Sequence, residues 1–138
     1  MKKYIIDTNC LISFFTDRDI RQQEIIKKYF DQLSEYKCEL YLTGHIISEF
    51  IYVLTKIYKI ENNKTNTLIR NLLQIPGIIF LEGYYMDTIL NIWPKNILNY
   101  GDAVIGAVSI KENIPILTFD KEFSKKLNII NVENIYLK

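Results

Sequence analysis

Asp7, Glu49, Asp102 and Asp120 are spread along the chain, and each falls where a strand ends or a helix begins. Gathered at one edge of a sheet, four carboxylates raise one another's pKa unless a cation sits among them. Hard oxygen ligands without a histidine or cysteine partner select Mg²⁺ or Mn²⁺ over zinc, and Mg²⁺ keeps waters that can be activated for attack. The chemistry such a site suits is hydrolysis of a phosphodiester. Thr8, Asn9 and Thr118 lie close enough in sequence to hydrogen-bond the acids or their waters, the work that orients carboxylates in metal sites. Their ordinary alternative is turn formation.

Each acid also has a plainer reading. Aspartate is a preferred N-cap, and Asp7, Asp102 and Asp120 each stand at the start of an expected helix. Asp102 opens Asp-Ala-Val-Ile-Gly-Ala-Val-Ser-Ile, apolar almost all round and therefore expected in the middle of the domain. At helical spacing Asp102, Gly106 and Ser109 share a face about 60° wide, which is either a groove below the carboxylate or a site of close packing. Glu49 lies one turn into a helix that begins near Gly44, at the margin of its apolar stripe, where carboxylates are usually just solvated. His45, four residues earlier, reads as a capping or packing group more readily than as a base.

The elements that must position these residues alternate between strand and helix. Lys3 to Asp7 reads as a buried strand leading into a helix with Leu11, Ile12, Phe14 and Phe15. Ile20 to Tyr36 is an amphipathic helix, Glu39 to Thr43 a strand, and Ile46 to Ile57 a longer helix with a wide apolar stripe. Asn63 to Gln74 is helical until Pro76-Gly77 breaks it. Ile78 to Leu81 (strand), Tyr85 to Trp93 (helix), a polar loop from Pro94 to Tyr100 and Asp102 to Lys111 (helix) follow. Ile114 to Thr118 is then a strand, Lys121 to Lys126 a short helix and Ile129 to Val132 a last strand. This alternation predicts an α/β fold with a parallel sheet covered on both faces, and ligands collecting beyond the carboxyl ends of the strands.

The chain has 138 residues, 49% of them hydrophobic, enough for a single domain over residues 1–138 with its own core. A net charge of +1 carries no global field for a polyanion, so any nucleic-acid binding would come from local cations such as Arg18, Arg21, Lys121, Lys125 and Lys126, each by default a solvated surface charge. Tyr100 offers a surface on which a base could stack. Two cysteines, Cys10 and Cys38, are too few for a disulfide scaffold and are expected as free thiols in the cytoplasm. No apolar run is long enough to span a membrane, and no signal-peptide core precedes the first charge.

Ile5-Ile6-Asp7-Thr8-Asn9, Ser48-Glu49-Phe50, Gly101-Asp102-Ala103 and Leu117-Thr118-Phe119-Asp120-Lys121-Glu122-Phe123, in this order, resemble the four signature blocks of PIN-domain ribonucleases. Single-domain members of this size are most often the VapC-like toxins of toxin–antitoxin pairs. The resemblance implies a five-stranded parallel sheet flanked by helices, an acidic pocket for Mg²⁺ or Mn²⁺, and endonucleolytic cutting of structured RNA. By that resemblance Asp7, Glu49, Asp102 and Asp120 are metal ligands, Thr8, Asn9 and Thr118 support them, and the partners are an antitoxin and a second copy in a homodimer. Asn113 stands where such proteins often have glycine, and Glu122 adds an acid of open role. A haloacid-dehalogenase-type phosphatase would need an Asp at position 9, where Asn stands, and a receiver domain would need a lysine at the end of a late strand. The remaining alternative is a non-catalytic module of the same fold that binds RNA or protein.

Overall fold

The computed structural model describes residues 1–138. The chain starts with β1 (Lys2–Ile6), whose Ile5 and Ile6 are wholly buried, followed by α1 (Thr8–Phe15) and α2 (Ile20–Ser34). The next crossover runs from β2 (Cys38–Thr43) through α3 (Gly44–Tyr52), a π-helical turn at Val53–Ile57 and α4 (Asn62–Gln74) to β3 (Ile78–Leu81). Then come α5 (Met86–Ile92), α6 (Tyr100–Glu112), β4 (Ile116–Thr118), α7 (Lys121–Ile129) and β5 (Asn134–Tyr136).

All strands pair in parallel, in the order β3-β2-β1-β4-β5. The chain therefore builds outward in one direction from β1 and, after β3, crosses back to build in the other. With right-handed crossovers this puts the helices of the two halves on opposite faces of the sheet. The order reverses between β1 and β4, which are held in register by Ile5 beside Ile116 and Ile6 beside Leu117. Tyr4 to Ile6 of β1 and all of β4 are buried on both faces, as central parallel strands are.

The helix expected from the apolar stretch after Asp102 is the most enclosed in the molecule, buried continuously from Ala103 to Ser109. Its small-residue face serves packing and not a groove: a Cβ at Gly106 would lie 3.4 to 3.6 Å from Ile92, Ile97 and Leu127, and Ser109 Oγ donates to the Ile114 carbonyl at 2.6 Å. Asn113 closes α6 in the left-handed conformation at φ 55°, which asparagine tolerates.

Three elements differ from the sequence expectation. The last strand is not Ile129–Val132: α7 continues to Ile129, which is 77% exposed, and the strand forms at Asn134–Tyr136. A left-handed Asn131 turns the chain and lets Val132 N donate to the Leu127 carbonyl, so the apolar run caps a helix and only then enters the sheet. The helix through Ile57 is not uniform, since Tyr58 N reaches back five residues to Val53 O over the π-helical turn. Finally, α6 begins at Tyr100, two residues before Asp102. Of the aromatics on the helices between Ile20 and Gln74, Phe30 and Phe50 are core, whereas Tyr52 and Tyr58 are exposed. No helix is long and apolar enough to cross a membrane.

Candidate active site

The strand order reverses between β1 and β4, and the space beyond their carboxyl ends is the usual ligand position in open α/β sheets. Asp7 follows β1 directly, and its N–H continues the ladder by donating to Leu117 O at 3.0 Å. Its carboxylate divides its work. Oδ1 caps α1 by accepting from Thr8 N at 2.8 Å, while Oδ2 accepts from the Thr118 hydroxyl at 2.7 Å and from Asn9 Nδ2 at 3.3 Å. The capping reading of Asp7 is therefore correct without excluding the other, because one oxygen caps α1 and the second is bonded to Asn9 and across to Thr118 of β4.

Thr118, fully buried at the end of β4, also accepts from Asp120 N at 3.0 Å. Asp120 Oδ1 in turn caps α7 through Phe123 N, and Asn9 Oδ1 accepts from Phe119 N at 3.2 Å. Asp7, Asn9, Thr118 and Asp120 thus form one network joining two strand ends. Behind it the Cys10 thiol is completely buried between Asn9 Oδ1 and Leu117 O, and burial pushes its pKa well up. Cys38 is likewise a buried free thiol.

Glu49 and Asp102 approach from helices. α3 is capped by Thr43, not by His45, so Glu49 sits on its second turn, with Oε1 accepting from the Thr8 hydroxyl at 2.9 Å. His45 Nε2 lies 3.2 Å from the same oxygen, and contact with the imidazole, together with the Thr8 hydroxyl, holds the Glu49 carboxyl below its ordinary pKa. Asp102 is not a cap: Asn99 Oδ1 caps α6 by accepting from Asp102 N at 2.9 Å. Its carboxylate is consequently released from local duty in the first turn, where the helix dipole favours negative charge.

The electrostatics place all four acids in one field. Asp7, almost entirely buried, is raised to about 6, first by loss of water and then by Glu49 and Asp120, against the opposing hydrogen bonds from Thr118 and Thr8. Asp102 is raised to about 7 by burial, Asp7, Asp120 and Glu49, with the Lys126 ammonium of α7 pulling it back. The donor set is oxygen only, the chemistry of Mg²⁺ and Mn²⁺. As the side chains stand, no three of them converge closely enough to hold one ion together.

Around this cluster the remaining candidates separate. Arg18 is fastened above α1, donating to Asn9 O at 3.1 Å and to Ser13 Oγ at 3.0 Å. Lys121 and Arg21 are exposed, Lys125 pairs with the exposed Glu122 at 3.7 Å, and Glu122 is not among the charges acting on Asp7 or Asp102. Tyr100 stands two residues before Asp102 with its ring edge-on to Trp93 at 5.4 Å. Sequence reasoning missed Asn99 as the α6 cap and the contact of His45 with Glu49. The first was signalled by Asn three residues ahead of Asp102, the second by the four-residue spacing on one helix.

A family model described as PIN domain matches residues 4–127 of the chain. No curated protein matches it in sequence. Among solved structures the chain is similar to VapBC2 from Rickettsia felis bound to a promoter DNA fragment, at 15% identity and TM-score 0.68, covering 99% of both chains. It is also similar to VapBC-1 from nontypeable Haemophilus influenzae, at 16% identity and TM-score 0.69 over 97% of each chain. A third likeness is to VapC20 of Mycobacterium tuberculosis, a sarcin-ricin loop cleaving toxin, at 16% identity and TM-score 0.66, covering 88% of this chain and 93% of that one. At these identities the likeness is one of fold.

Proposed function

The chain belongs to the PIN domain family, and from that premise we propose that it is a divalent-metal-dependent endoribonuclease that hydrolyses phosphodiester bonds in structured RNA, as the toxin of a toxin–antitoxin pair. What supports this reading is that Asp7, Glu49, Asp102 and Asp120, from four separate segments, come near enough to one another where the strand order reverses for their charges to raise the pKa values of Asp7 and Asp102. Charges so arranged are tolerable when a cation is shared among them.

These four residues would hold the ion, Mg²⁺ or Mn²⁺, through rotation of the side chains from where they now stand. A divalent ion there supplies polarisation of a phosphoryl oxygen and a more acidic water. The chain's own part is orientation. Thr118 and Asn9 fix Asp7 Oδ2, and Thr8 fixes Glu49. Arg18, Arg21, Lys121 and Lys125 are the proposed phosphate contacts, with Arg18 held by hydrogen bonds to Asn9 O and Ser13 Oγ. An antitoxin partner is supported by the fold's likeness to chains solved as two-component complexes, VapBC and FitAB. A homodimer is proposed on family resemblance alone.

The competing reading, a non-catalytic binding module, draws on the spacing of the acids, none of which meet in threes. Incubating purified protein with structured RNA separates the two. Cleavage that requires Mg²⁺ or Mn²⁺, leaves 5′-phosphate and 3′-hydroxyl ends and disappears in Asp7→Asn supports the nuclease. Equal behaviour of wild type and D7N rejects it.

A further inference from the structure

His45 is the one histidine of the chain, and it stands between two of the segments that carry the acids. Its Nε2 lies 3.2 Å from Glu49 Oε1, and that nitrogen is shut off from solvent without a hydrogen bond of good geometry to any protein atom. On its other side the ring meets α6. A Cβ built at Gly101 would fall 2.4 Å from Nε2, closer than side-chain carbons sustain, and 3.1 Å from Cε1. Gly101 immediately precedes Asp102. The imidazole therefore touches the carboxylate of one acid and the backbone next to another.

A solvated i,i+4 pair on a helix surface does not account for this, because such pairs are exposed and weak. Here the side chain of His45 is only 20% exposed and the position it faces accepts nothing larger than glycine without moving the ring. A carboxylate oxygen at 3.2 Å calls for the hydrogen on Nε2. A small rotation of Glu49 completes that hydrogen bond.

We propose that His45 is a positioning residue of the acidic site, an imidazole wedge that aims the Glu49 carboxylate and sets the gap between α3 and the Gly101-Asp102 start of α6. The proposal rests on the nuclease reading, in which Glu49 and Asp102 share an ion. Groups that orient ligands from behind change metal affinity by about 10- to 100-fold when removed. The wedge also explains why glycine stands at position 101: a methyl group there pushes the imidazole off Glu49.

The test is Mn²⁺ binding by the full chain without RNA, followed by the electron paramagnetic resonance signal of free Mn²⁺, on wild type, H45L, H45Q, G101A, H45A and the H45A/G101A double variant. Thermal melts report folding. H45L and G101A are each expected to weaken binding by roughly tenfold or more, while H45Q, which retains an N–H able to reach Glu49, stays within about threefold of wild type. Adding G101A to H45A is expected to cost no further affinity, since the ring it displaces is already gone. If H45L fails to fold, the comparison of G101A alone with G101A in the H45A background decides. Folded H45L binding Mn²⁺ like wild type, H45Q and H45L behaving alike, or equal losses from G101A in both backgrounds each overturn the wedge. Wild type that binds no Mn²⁺ overturns the proposed function and this inference with it.

Discussion

Asp7 and Asp120, at the ends of β1 and β4, are held quite differently from Glu49 and Asp102, which ride on α3 and α6. The strand-end pair is stitched through Thr118 and Asn9, and each also caps the helix that follows it. On the helical side, Glu49 has one hydroxyl and one imidazole, while the field on Asp102 comes from burial and charge without a hydrogen bond. Strands at the centre of a parallel sheet fix their ends to within the ladder, whereas helices pack against neighbours through side chains and can be shifted by them. One half of the cluster is therefore set by the backbone, and the other by what lies between α3 and α6.

The largest test of this difference is removal of charge from each half. A bound ion contributes several kcal/mol of transition-state stabilisation, and each 1.36 kcal/mol is a factor of ten, so D7N is expected to lower RNA cleavage by about 10²- to 10³-fold. D7N is expected at the same time to raise the melting temperature of the metal-free protein near pH 8. The shift of Asp7 from 3.8 to about 6 corresponds to roughly 3 kcal/mol of ionisation penalty, at about 1.4 kcal/mol per pH unit. E49Q, which removes an acid whose ionised form the fold favours, is expected to lose activity without that gain in stability.

Next in size is the dependence on pH. Asp7 and Asp102 are raised, so their contribution to stability is complete below the unfolded value near 3.8 and is lost as pH rises through about 6 and about 7. Glu49 is lowered and acts in the opposite sense, its contribution present above its ordinary value of 4.5 and lost as pH falls through the folded one. Melts between pH 4 and 8 without divalent ions should show wild type losing stability relative to D7N/D102N. Mn²⁺ should then raise the wild-type melting temperature more at pH 8 than at pH 5, because protons must leave the ligands first.

Smaller effects compare the two hydroxyls. T118V takes the shorter of two hydrogen bonds from the buried Asp7 Oδ2 and removes the partner of the part-buried Asp120 N, and is expected to cost about 1 to 3 kcal/mol in chemical denaturation. T8V removes one hydrogen bond to the half-exposed Glu49 and is expected to cost about 0.5 to 1.5 kcal/mol. Equal costs would mean that the two halves are held alike. Smallest of all, R18A is expected to weaken RNA binding and reduce the slope of log affinity against log salt by about 1, uniformly across RNA sequences.

Much of this arrangement is legible in the residues alone. Apolar β1 and the apolar run after Asp102 dictate a central strand and an enclosed helix, and the order of the acids along the chain is enough to bring them to one sheet edge once the strands are parallel. Asp102 was harder, because aspartate at a helix start looks like a cap whether or not a better one stands three residues earlier. Asn99 takes that role, and only the loop's path after Trp93, with its indole donating to Leu98 O, brings Asn99 into place. The last strand escaped the pattern for a similar reason: Ile129-Ile130-Asn131-Val132 is apolar enough for a strand, but Leu127 and Val132 bury against the core around a left-handed Asn131. The meeting of His45 with Gly101 joins residues 56 positions apart and leaves no local trace.

Cys10 sits directly beneath the strand-end network, sealed from solvent and unwilling to ionise. A thiol in that position reacts with an alkylating reagent only when α1 lifts away from the end of β4. The chain therefore carries its own clock for openings beneath Asp7, and the rate of Cys10 labelling with and without Mn²⁺ would report whether a cation slows them.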